Sequence, residues 1–311
     1  MSDFVRQNGT KIDFDRNSWC ILSPIEQSIK RKIEAIGVPL KDWNISINYG
    51  IKTGCNEAFI IDGETKDALI AQDPKSAEII RPILRGRDIK RYSYDFADKW
   101  LIFVPWHFPL HKDTNITGAS KKAEAEFEKQ YPAIYNRLLS YKPILEKRNK
   151  AETGIRYEWY ALQRCAATYM DDFSKPKIIY GQFQDSAEYS YSNKEIFLSS
   201  NEYMIVGTPY IKFLLGVMHS AIFNWYLRNF TNSLGNNAKI AQKSNFLKVP
   251  VIKPNEENMQ KVMEIEQLVD INIECAKTED ILLQAQNESK IEEILCLLYQ
   301  IDKQEIVVIN K

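Results

Sequence analysis

The stretch WNISINYGIKTGCNEAFII, residues 43–61, decides the fold. Its first part, 43–49, alternates apolar and polar residues, which is typical of a β-strand buried on one face. KTG at 52–54 is a turn sequence, and the apolar run 58–61 predicts a returning strand that stops at the turn pair DG, residues 62–63. The pattern therefore predicts a β-hairpin that carries a cation and a hydroxyl at its tip.

Further strands and helices are predicted on both sides of this hairpin. Ser23-Pro24 has the features of a helix start, a serine cap followed by proline. Thr208-Pro209 begins another helix in the same way, over residues 211–230, and its apolar residues lie nearly all round the axis, which predicts burial. A third helix is predicted from residue 131 to 145. Four further strands are predicted at residues 100–104, 177–183, 196–198 and 203–206.

A domain boundary is predicted near residue 254, where two prolines interrupt the chain. Beyond it, apolar residues recur in steps of three or four from 259 to 276, which indicates a long amphipathic helix. Its apolar stripe requires a partner: the body of this chain, another helix or a separate domain. We therefore expect a mixed α/β domain, of the α+β class, over residues 1–254 and a helical appendage over 255–311.

The composition is that of an ordinary globular protein: 44% of the 311 residues are apolar and 26% are charged. No segment approaches the run of about 20 apolar residues that a membrane helix needs, and the first residues lack the features of a signal peptide. The five cysteines are scattered without C-x-x-C spacing, so neither disulfides nor a zinc site is expected. These observations predict a cytoplasmic protein without a membrane partner.

The charges balance overall but not locally. The chain has 41 basic and 41 acidic residues, whereas a purely electrostatic nucleic-acid binder is usually basic. Residues 81–91, however, hold five cations and one acid, and residues 239–253 hold four cations and no acid. The sequence therefore leaves room for a basic face on a neutral protein.

Motifs of catalysis are missing from the sequence. It has no glycine-rich phosphate loop, no F-x-G-x-G pattern for S-adenosylmethionine and no N-P-P-Y motif for a flipped adenine. His107 and His111 are separated by a proline that breaks the helix needed to place both on one metal ion. His219 lies in the apolar helix and is expected in the core, as is the aromatic group at 157–160. We expect no catalytic residues and no metal site.

Several blocks of the sequence follow one another in a recognisable order. GIKTGCNEAFII at 50–61 and IRPILRGRDIKRY at 80–92 are the most distinctive. Others follow at residues 141–148, 157–162, 175–180, 215–225, 246–251 and 294–306. In this order they resemble the TaqI-like C-terminal specificity domain of Eco57I-type (type IIG) restriction–modification proteins. The resemblance extends from about residue 19 to the C-terminus. His219-Ser220 replaces the usual Asn-Ser, and Gln300 stands where glycine is common.

The resemblance implies a fold, a function and partners. The fold would be a β-rich target recognition domain similar to those of type I specificity subunits, followed by the helical appendage. The function would be sequence-specific recognition of double-stranded DNA for an adenine-N6 methyltransferase. The partner would be an N-terminal methyltransferase or endonuclease domain, or a separate subunit. S-adenosylmethionine would bind there, so that this chain holds no cofactor and is not an enzyme by itself.

The resemblance also implies which side chains contact DNA. Arginine can donate two hydrogen bonds to guanine, glutamine can pair with adenine, and cations bind phosphates and set the register. The candidates are Lys52, Thr53 and Asn56 in the predicted turn, Arg85, Arg87, Lys90 and Arg91 in the basic segment, Gln182 and Gln184 at a strand end, and Asn237, Lys239 and Lys243 in a polar loop.

Other interpretations remain open at this stage. Arg85 or Arg91 can pair internally with Asp88, and we expect at least one of these arginines to be structural. The glutamines can face water from an edge strand, and the polar loop can be a surface linker. For the whole chain, the alternatives are a helical assembly module, whose partner reads the DNA, and a self-sufficient enzyme with an unrecognised site.

Overall fold

The computed structural model describes residues 22–148, 151–182, 188–231 and 243–310. The chain divides into two compact units, each of which is discontinuous in sequence. We call the first the sheet unit, Ser46–Phe183 and Ser190–Val206. We call the second the helical unit, Met1–Ile45, Gln184–Tyr189 and Gly207–Lys311. The predicted domain boundary at residue 254 stays a prediction.

The described residues contain short strands and mostly short helices. The strands are β1 (Val38–Pro39), β2 (Ser46–Tyr49), β3 (Ile60–Asp62), β4 (Ile80–Leu84), β5 (Lys99–Ile102), β6 (Lys177–Gly181), β7 (Tyr189–Ser192), β8 (Phe197–Leu198), β9 (Glu202–Val206) and β10 (Pro250–Val251). The helices are α1 (Pro24–Ile36), α2 (Asn56–Phe59), α3 (Gly63–Gln72), α4 (Lys121–Gln130), α5 (Pro132–Ser140), α6 (Lys142–Leu145), α7 (Ile211–His219), α8 (Ala221–Phe230), α9 (Lys243–Phe246), α10 (Met259–Thr278), α11 (Ile281–Leu298) and α12 (Lys303–Ile309). The predicted α+β class is confirmed.

Two four-stranded sheets form the frame of the sheet unit. The first has the order β2-β9-β6-β7, with β9 antiparallel to both β2 and β6. The second has the order β3-β5-β4-β8, in which β4 and β8 run parallel. Every residue of β6 and β9 is buried, which explains why these strands are apolar runs without alternation. The strands predicted at 100–104, 177–183, 196–198 and 203–206 are confirmed within a few residues.

The predicted return strand and its turn are wrong in detail. Residues 56–59 form the single helical turn α2, and only Ile60–Asp62 is extended. Asp62 does not turn the chain back; it caps α3, and its carboxylate accepts a hydrogen bond from the Thr65 N–H at 2.9 Å. Aspartate is a strong N-cap and the following residues are good helix formers, so the local preference for a helix prevails over the turn.

The helix predicted over 211–230 is two helices. Ser220 interrupts it with extended backbone angles, φ −71° and ψ 153°, which are close to those of the helix cap Ser23, φ −64° and ψ 159°. The Ser220 hydroxyl accepts a hydrogen bond from the Phe223 N–H at 3.1 Å, so the serine begins α8 while α7 ends at His219. The predicted start of α1 at Ser23 is confirmed, with a reciprocal Ser23–Glu26 capping box.

The apolar stripe predicted at residues 259–276 is covered within the helical unit. The long helix is α10, and it packs against α7 in the same unit. Gly216 of α7 permits a close approach, since a Cβ there would lie 2.9 Å from Ile265 and 3.0 Å from Val269. The stripe is therefore covered by the body of this chain. Among the described helices, none is both long and apolar enough to cross a membrane.

Acidic side chains fasten the C-terminal helices to this core. Glu292 of α11 accepts hydrogen bonds from the N–H groups of Ala221 and Ile222 at 2.8 and 3.4 Å, and donors at this position, the start of α8, have no acceptor within their own helix. Glu266 of α10 accepts from the Phe213 N–H in α7 at 3.3 Å. Two helices of the appendage thus satisfy backbone donors at the beginnings of two other helices.

Candidate nucleic-acid interface

The segment predicted as an exposed hairpin tip is anchored in the sheet unit. Thr53 is 4% exposed, and its hydroxyl donates to Asn56 Oδ1 at 2.7 Å while accepting from the Cys55 N–H at 3.2 Å. Lys52 pairs in an isolated antiparallel bridge with Arg164 rather than with a returning strand. The hairpin prediction is therefore wrong at this place, although Lys52 and Asn56 remain in contact with solvent.

The buried side chain of Arg148 holds this segment in place. It is 7% exposed, and its guanidinium donates to the carbonyl of Thr53 and, at 2.7 Å each, to those of Trp159 and Ala161. No carboxylate within the described residues pairs with it, and burial lowers the pKa of the guanidinium. The role of Arg148 cannot be predicted from the sequence, because the residue stands at the end of a helix block without a distinctive pattern.

Arg85 has an internal role. Its Nε and Nη2 donate to the two carboxylate oxygens of Asp88 at 3.0 and 2.8 Å, and its backbone N–H donates to the same carboxylate at 2.9 Å. The hydrogen bond that Arg85 donates to Asp88 raises the pKa of Arg85. The expected internal pairing is thus confirmed for Arg85. It fixes the short helical turn Gly86–Asp88, on which Arg87 is exposed.

A hairpin does exist in the basic segment, a few residues further on. Ile89 and Tyr94 form an antiparallel bridge, and the Lys90 N–H donates to the Ser93 carbonyl at 2.9 Å. Tyr92 adopts a positive φ of 66° at the tip and is fully buried, which anchors the hairpin. Lys90 is exposed, and the guanidinium of Arg91 lies 5.6 Å from the Tyr92 ring centroid.

Distant segments meet at the turn of residues 199–202, between β8 and β9. The Gln182 N–H donates to the Asn201 carbonyl at 2.8 Å, and the Gly50 N–H donates to the Glu202 carbonyl at 2.9 Å. The Ser199 N–H donates to the Leu84 carbonyl at 3.0 Å. We call this turn the junction turn. The strands that precede Lys52 and Arg87, and the strand end that carries Gln182, thus converge on it.

Glu202 ties the basic segment to the junction turn. The side chain is 4% exposed and accepts hydrogen bonds from the Ser199 hydroxyl and from the Gly86 N–H. Burial raises the pKa of its carboxyl. Because Gly86 immediately precedes Arg87, this carboxyl group helps to fix where Arg87 is presented. No sequence pattern points to Glu202, since an acid in an apolar strand carries no motif.

The remaining candidates fall in different places. Gln182 is partly buried at the end of β6, and Lys243 begins α9 in the helical unit. The structure therefore brings the segments of Lys52, the basic cluster and Gln182 together in one unit, but Lys243 belongs to the other. Gln184, Asn237 and Lys239 lie outside the described residues.

Aromatic and histidine residues serve the packing. Tyr157 and Tyr160 are fully buried and Trp159 is 7% exposed, so the core prediction is confirmed. His107 Nδ1 lies 3.0 Å from Glu158 Oε1, and the ring of His111 stacks on Phe108. Throughout the parts of the chain that the structure describes, no group of histidine, cysteine, aspartate or glutamate side chains is suited to hold a metal ion.

Known proteins of similar sequence and structure act in restriction–modification. The type II methyltransferase M.MjaIV of Methanocaldococcus jannaschii is 27% identical over 228 residues, which are 68% of this chain and 69% of the relative. The type IIL restriction–modification enzyme MmeI, solved in complex with DNA, has a TM-score of 0.60 at 15% identity, over 94% of this chain and 36% of its own. The likeness to MmeI concerns the fold alone.

A second solved structure, the type IIG restriction endonuclease BpuSI, has a TM-score of 0.48 at 11% identity, over 88% of this chain and 33% of its own. This chain therefore spans about a third of the length of both solved enzymes.

The family match covers the basic segment, Gln182 and the junction turn, but not the segment of Lys52. Residues 81–251, more than half of the chain, match the TaqI-like C-terminal specificity domain. The matched part begins with the basic segment, includes the junction turn and ends at β10. The resemblance inferred from the sequence blocks is thereby confirmed. The chain belongs to the family of TaqI-like C-terminal specificity domains.

Proposed function

We propose that this chain is the DNA-sequence-recognition part of a type IIG-like, adenine-specific restriction–modification methyltransferase. The observation that carries the proposal is the junction turn: in a member of a specificity-domain family, it joins the backbones that present Lys52, Arg87 and Gln182. Loops from several strands that meet at one place can follow a groove, as recognition of consecutive base pairs requires.

The side chains at this place have distinct chemical roles in the proposal. Arg87 is exposed on a turn fixed by Arg85 and Asp88, and an arginine so placed can donate two hydrogen bonds to guanine O6 and N7. Gln182 can pair with adenine N6 and N7. Lys90 and Lys52 bind phosphates, which set the register without reading sequence.

Methyl transfer belongs to another part of the assembled enzyme in this proposal. That part is an N-terminal domain or a separate subunit, and the adenine to be modified is flipped into it. S-adenosylmethionine bound there supplies the methyl group for adenine N6. The residues of this chain select the site and hold the duplex while the partner acts. The name of the relative M.MjaIV supports a methyltransferase context.

The test is selection of duplexes by the full chain from a randomised DNA library, followed by titration of the enriched and a scrambled duplex. We expect enrichment of one sequence. Arg87→Ala and Gln182→Ala should relax selection at one position each and weaken binding by about 1–3 kcal/mol. The matched control is Lys261→Ala, an exposed cation in the helical unit.

Other results would favour the alternatives. Unchanged DNA binding in Lys52→Ala and Arg87→Ala, with assembly to a methyltransferase subunit intact, would favour the helical assembly module. A tight complex of this chain alone with S-adenosylmethionine would favour a self-sufficient enzyme. Absence of any enriched sequence would contradict the proposal.

A further inference from the structure

Two cationic residues, Lys52 and Arg164, are directly paired in the antiparallel bridge beside the junction turn. The Lys52 N–H donates to the Arg164 carbonyl at 3.1 Å, and the Arg164 N–H donates to the Lys52 carbonyl at 2.9 Å. Residues that exchange both hydrogen bonds in an antiparallel pair have Cα atoms about 5.5 Å apart, and their side chains leave the backbone on the same side. Lys52 is partly exposed and Arg164 is exposed.

Neither cation has an acidic partner among the residues that the structure describes. Within the described ranges, no carboxylate lies within 4.0 Å of the Lys52 ammonium or the Arg164 guanidinium. Like charges directly opposite each other on paired strands are destabilising. Arg81 and Arg85 of the basic segment, by contrast, lie within 4.0 Å of Glu195 and Asp88, respectively. The paired residues Lys52 and Arg164 are therefore suited to bind an external anion.

The backbone beneath the pair is held rigidly. Arg148 donates to the carbonyl of Thr53, next to Lys52, and to that of Ala161, three residues before Arg164. One buried guanidinium thus fastens both segments that carry the exposed cations. On the other side, the Ile51 N–H donates to the Leu198 carbonyl at 2.7 Å, which places the pair directly beside the junction turn.

We propose that Lys52 and Arg164 together bind a single phosphodiester group of the DNA backbone. The inference rests on the proposed function and adds a residue, Arg164, that the sequence did not single out. A guanidinium binds phosphate oxygens through a planar pair of donors, and an ammonium adds a compact charge. A rigid two-cation site of this kind positions the duplex for the base-contacting residues and carries no sequence information itself.

The test compares the salt dependence of binding to the selected and the scrambled duplex. Arg164→Ala should weaken binding to both duplexes by the same factor, roughly tenfold at low salt. Lys52→Ala should act in the same direction. Because one phosphate contact is lost, the slope of log affinity against log salt should fall by about 1 in the double variant. Two separate phosphate contacts would lower the slope by about 2.

Matched variants separate the explanations. Arg164→Lys should retain most of the slope, since it keeps a cation at the same position. Arg156→Ala removes another exposed arginine of the sheet unit, one that lies 3.7 Å from Glu152, and should leave binding unchanged. The thermal unfolding temperature of the Lys52 and Arg164 variants should not fall below that of the wild type, because the side chains are at the surface and their substitution by alanine removes a like-charge repulsion.

The outcomes also distinguish this inference from the proposed function. If the wild type selects a sequence but Arg164→Ala leaves the slope and both affinities unchanged, the phosphate site is overturned and the proposed function stands. A loss confined to the selected duplex would overturn it too, because Arg164 would then contact a base. If the wild type selects no sequence and does not bind DNA, both proposals fail.

Discussion

Lys32 Nζ lies 2.6 Å from Glu305 Oε2, which joins the first described helix to the last across 273 residues of chain. Glu305 is 1% exposed and also accepts from the Ser28 hydroxyl at 2.7 Å. Burial acts to raise the pKa of this carboxyl, but hydrogen bonds from Lys32, the Asp302 N–H and Ser28 lower it overall. These contacts hold α1 and α12 together within the helical unit.

Glu305→Ala should lower the free energy of unfolding by about 2 kcal/mol, because the Lys32 ammonium, the Ser28 hydroxyl and the Asp302 N–H lose their shared buried acceptor. Urea unfolding followed by circular dichroism measures this change. Glu264→Ala removes a more exposed acid, 3.4 Å from Lys290, and should change stability by less than about 1 kcal/mol. Equal effects of the two substitutions would show that the contact between the chain ends contributes little.

Glu292→Ala should lower the free energy of unfolding by about 1–2 kcal/mol, because the N–H groups of Ala221 and Ile222 lose their acceptor. The matched control is Glu293→Ala, which removes the neighbouring exposed acid. If the two variants unfold at the same urea concentration, the capping role assigned to Glu292 is wrong.

The pH dependence of Glu292 has a definite sign. Burial raises the pKa of this carboxyl in the folded protein. Between the usual value and the raised one, the folded state binds more protons than the unfolded state, so stability increases as the pH falls through that window. The difference in unfolding free energy between the wild type and Glu292→Gln should therefore grow in favour of the wild type on mild acidification. A difference that is constant with pH would contradict this.

Lys177 should make the free energy of unfolding depend on pH in the alkaline range. The side chain is fully buried, donates to the carbonyls of Phe173 and Lys194 at 2.8 Å each, and burial lowers its pKa to about 8. Between that value and about 10.4, the unfolded state binds more protons, so this residue makes the protein more stable as the pH rises. Lys177→Met should lack this rise, as urea unfolding at pH 8 and pH 10 would show.

Arg148→Met should lower the free energy of unfolding by on the order of 3 kcal/mol, because carbonyls of Thr53, Trp159 and Ala161 lose a charged donor. Amide hydrogen exchange should show lost protection at the Lys52–Arg164 bridge. Unchanged protection there would mean that the bridge is held by other contacts. Arg156→Ala again serves as the control, since that guanidinium is exposed.

Glu202 offers a test of how Arg87 is positioned. Glu202→Ala should reduce discrimination between the selected and scrambled duplexes with little change in salt dependence, because the Gly86 N–H loses its acceptor. Glu202→Gln should restore discrimination, since its amide oxygen still accepts from Gly86 and its amide nitrogen can donate to Ser199. Failure of glutamine to restore it would indicate that the negative charge itself matters.

Local patterns predicted much of the fold. Runs of apolar residues predict the strands at 177–181 and 202–206, and the capping residue Ser23 predicts the start of α1. Each of these patterns lies within a few consecutive residues. The helix break at Ser220 cannot be predicted from the sequence, because the apolar pattern continues across it. The hairpin at 52–54 was wrong because a residue 95 positions away, Arg148, holds Thr53 inside.

The candidate site was predictable only in part. The density of cations at 81–91 is a local property, and so is the pairing of Arg85 with Asp88 three residues later. The junction turn, by contrast, depends on hydrogen bonds such as that from Gln182 to Asn201, which no local pattern contains. Arg164 stands alone in its segment, and only its bridge to Lys52 gives it a role.

Ser46 and Val206 are register partners at the edge of β2 and β9, so the chain enters and leaves the sheet unit side by side. Apart from residues 184–189, everything between them belongs to that unit. A segment whose ends are neighbours can be replaced by another of different length while its points of attachment stay where they are. Recombination between related genes can therefore exchange this segment as one piece and, under the proposed function, change the DNA preference while the sequence of the helical unit stays the same.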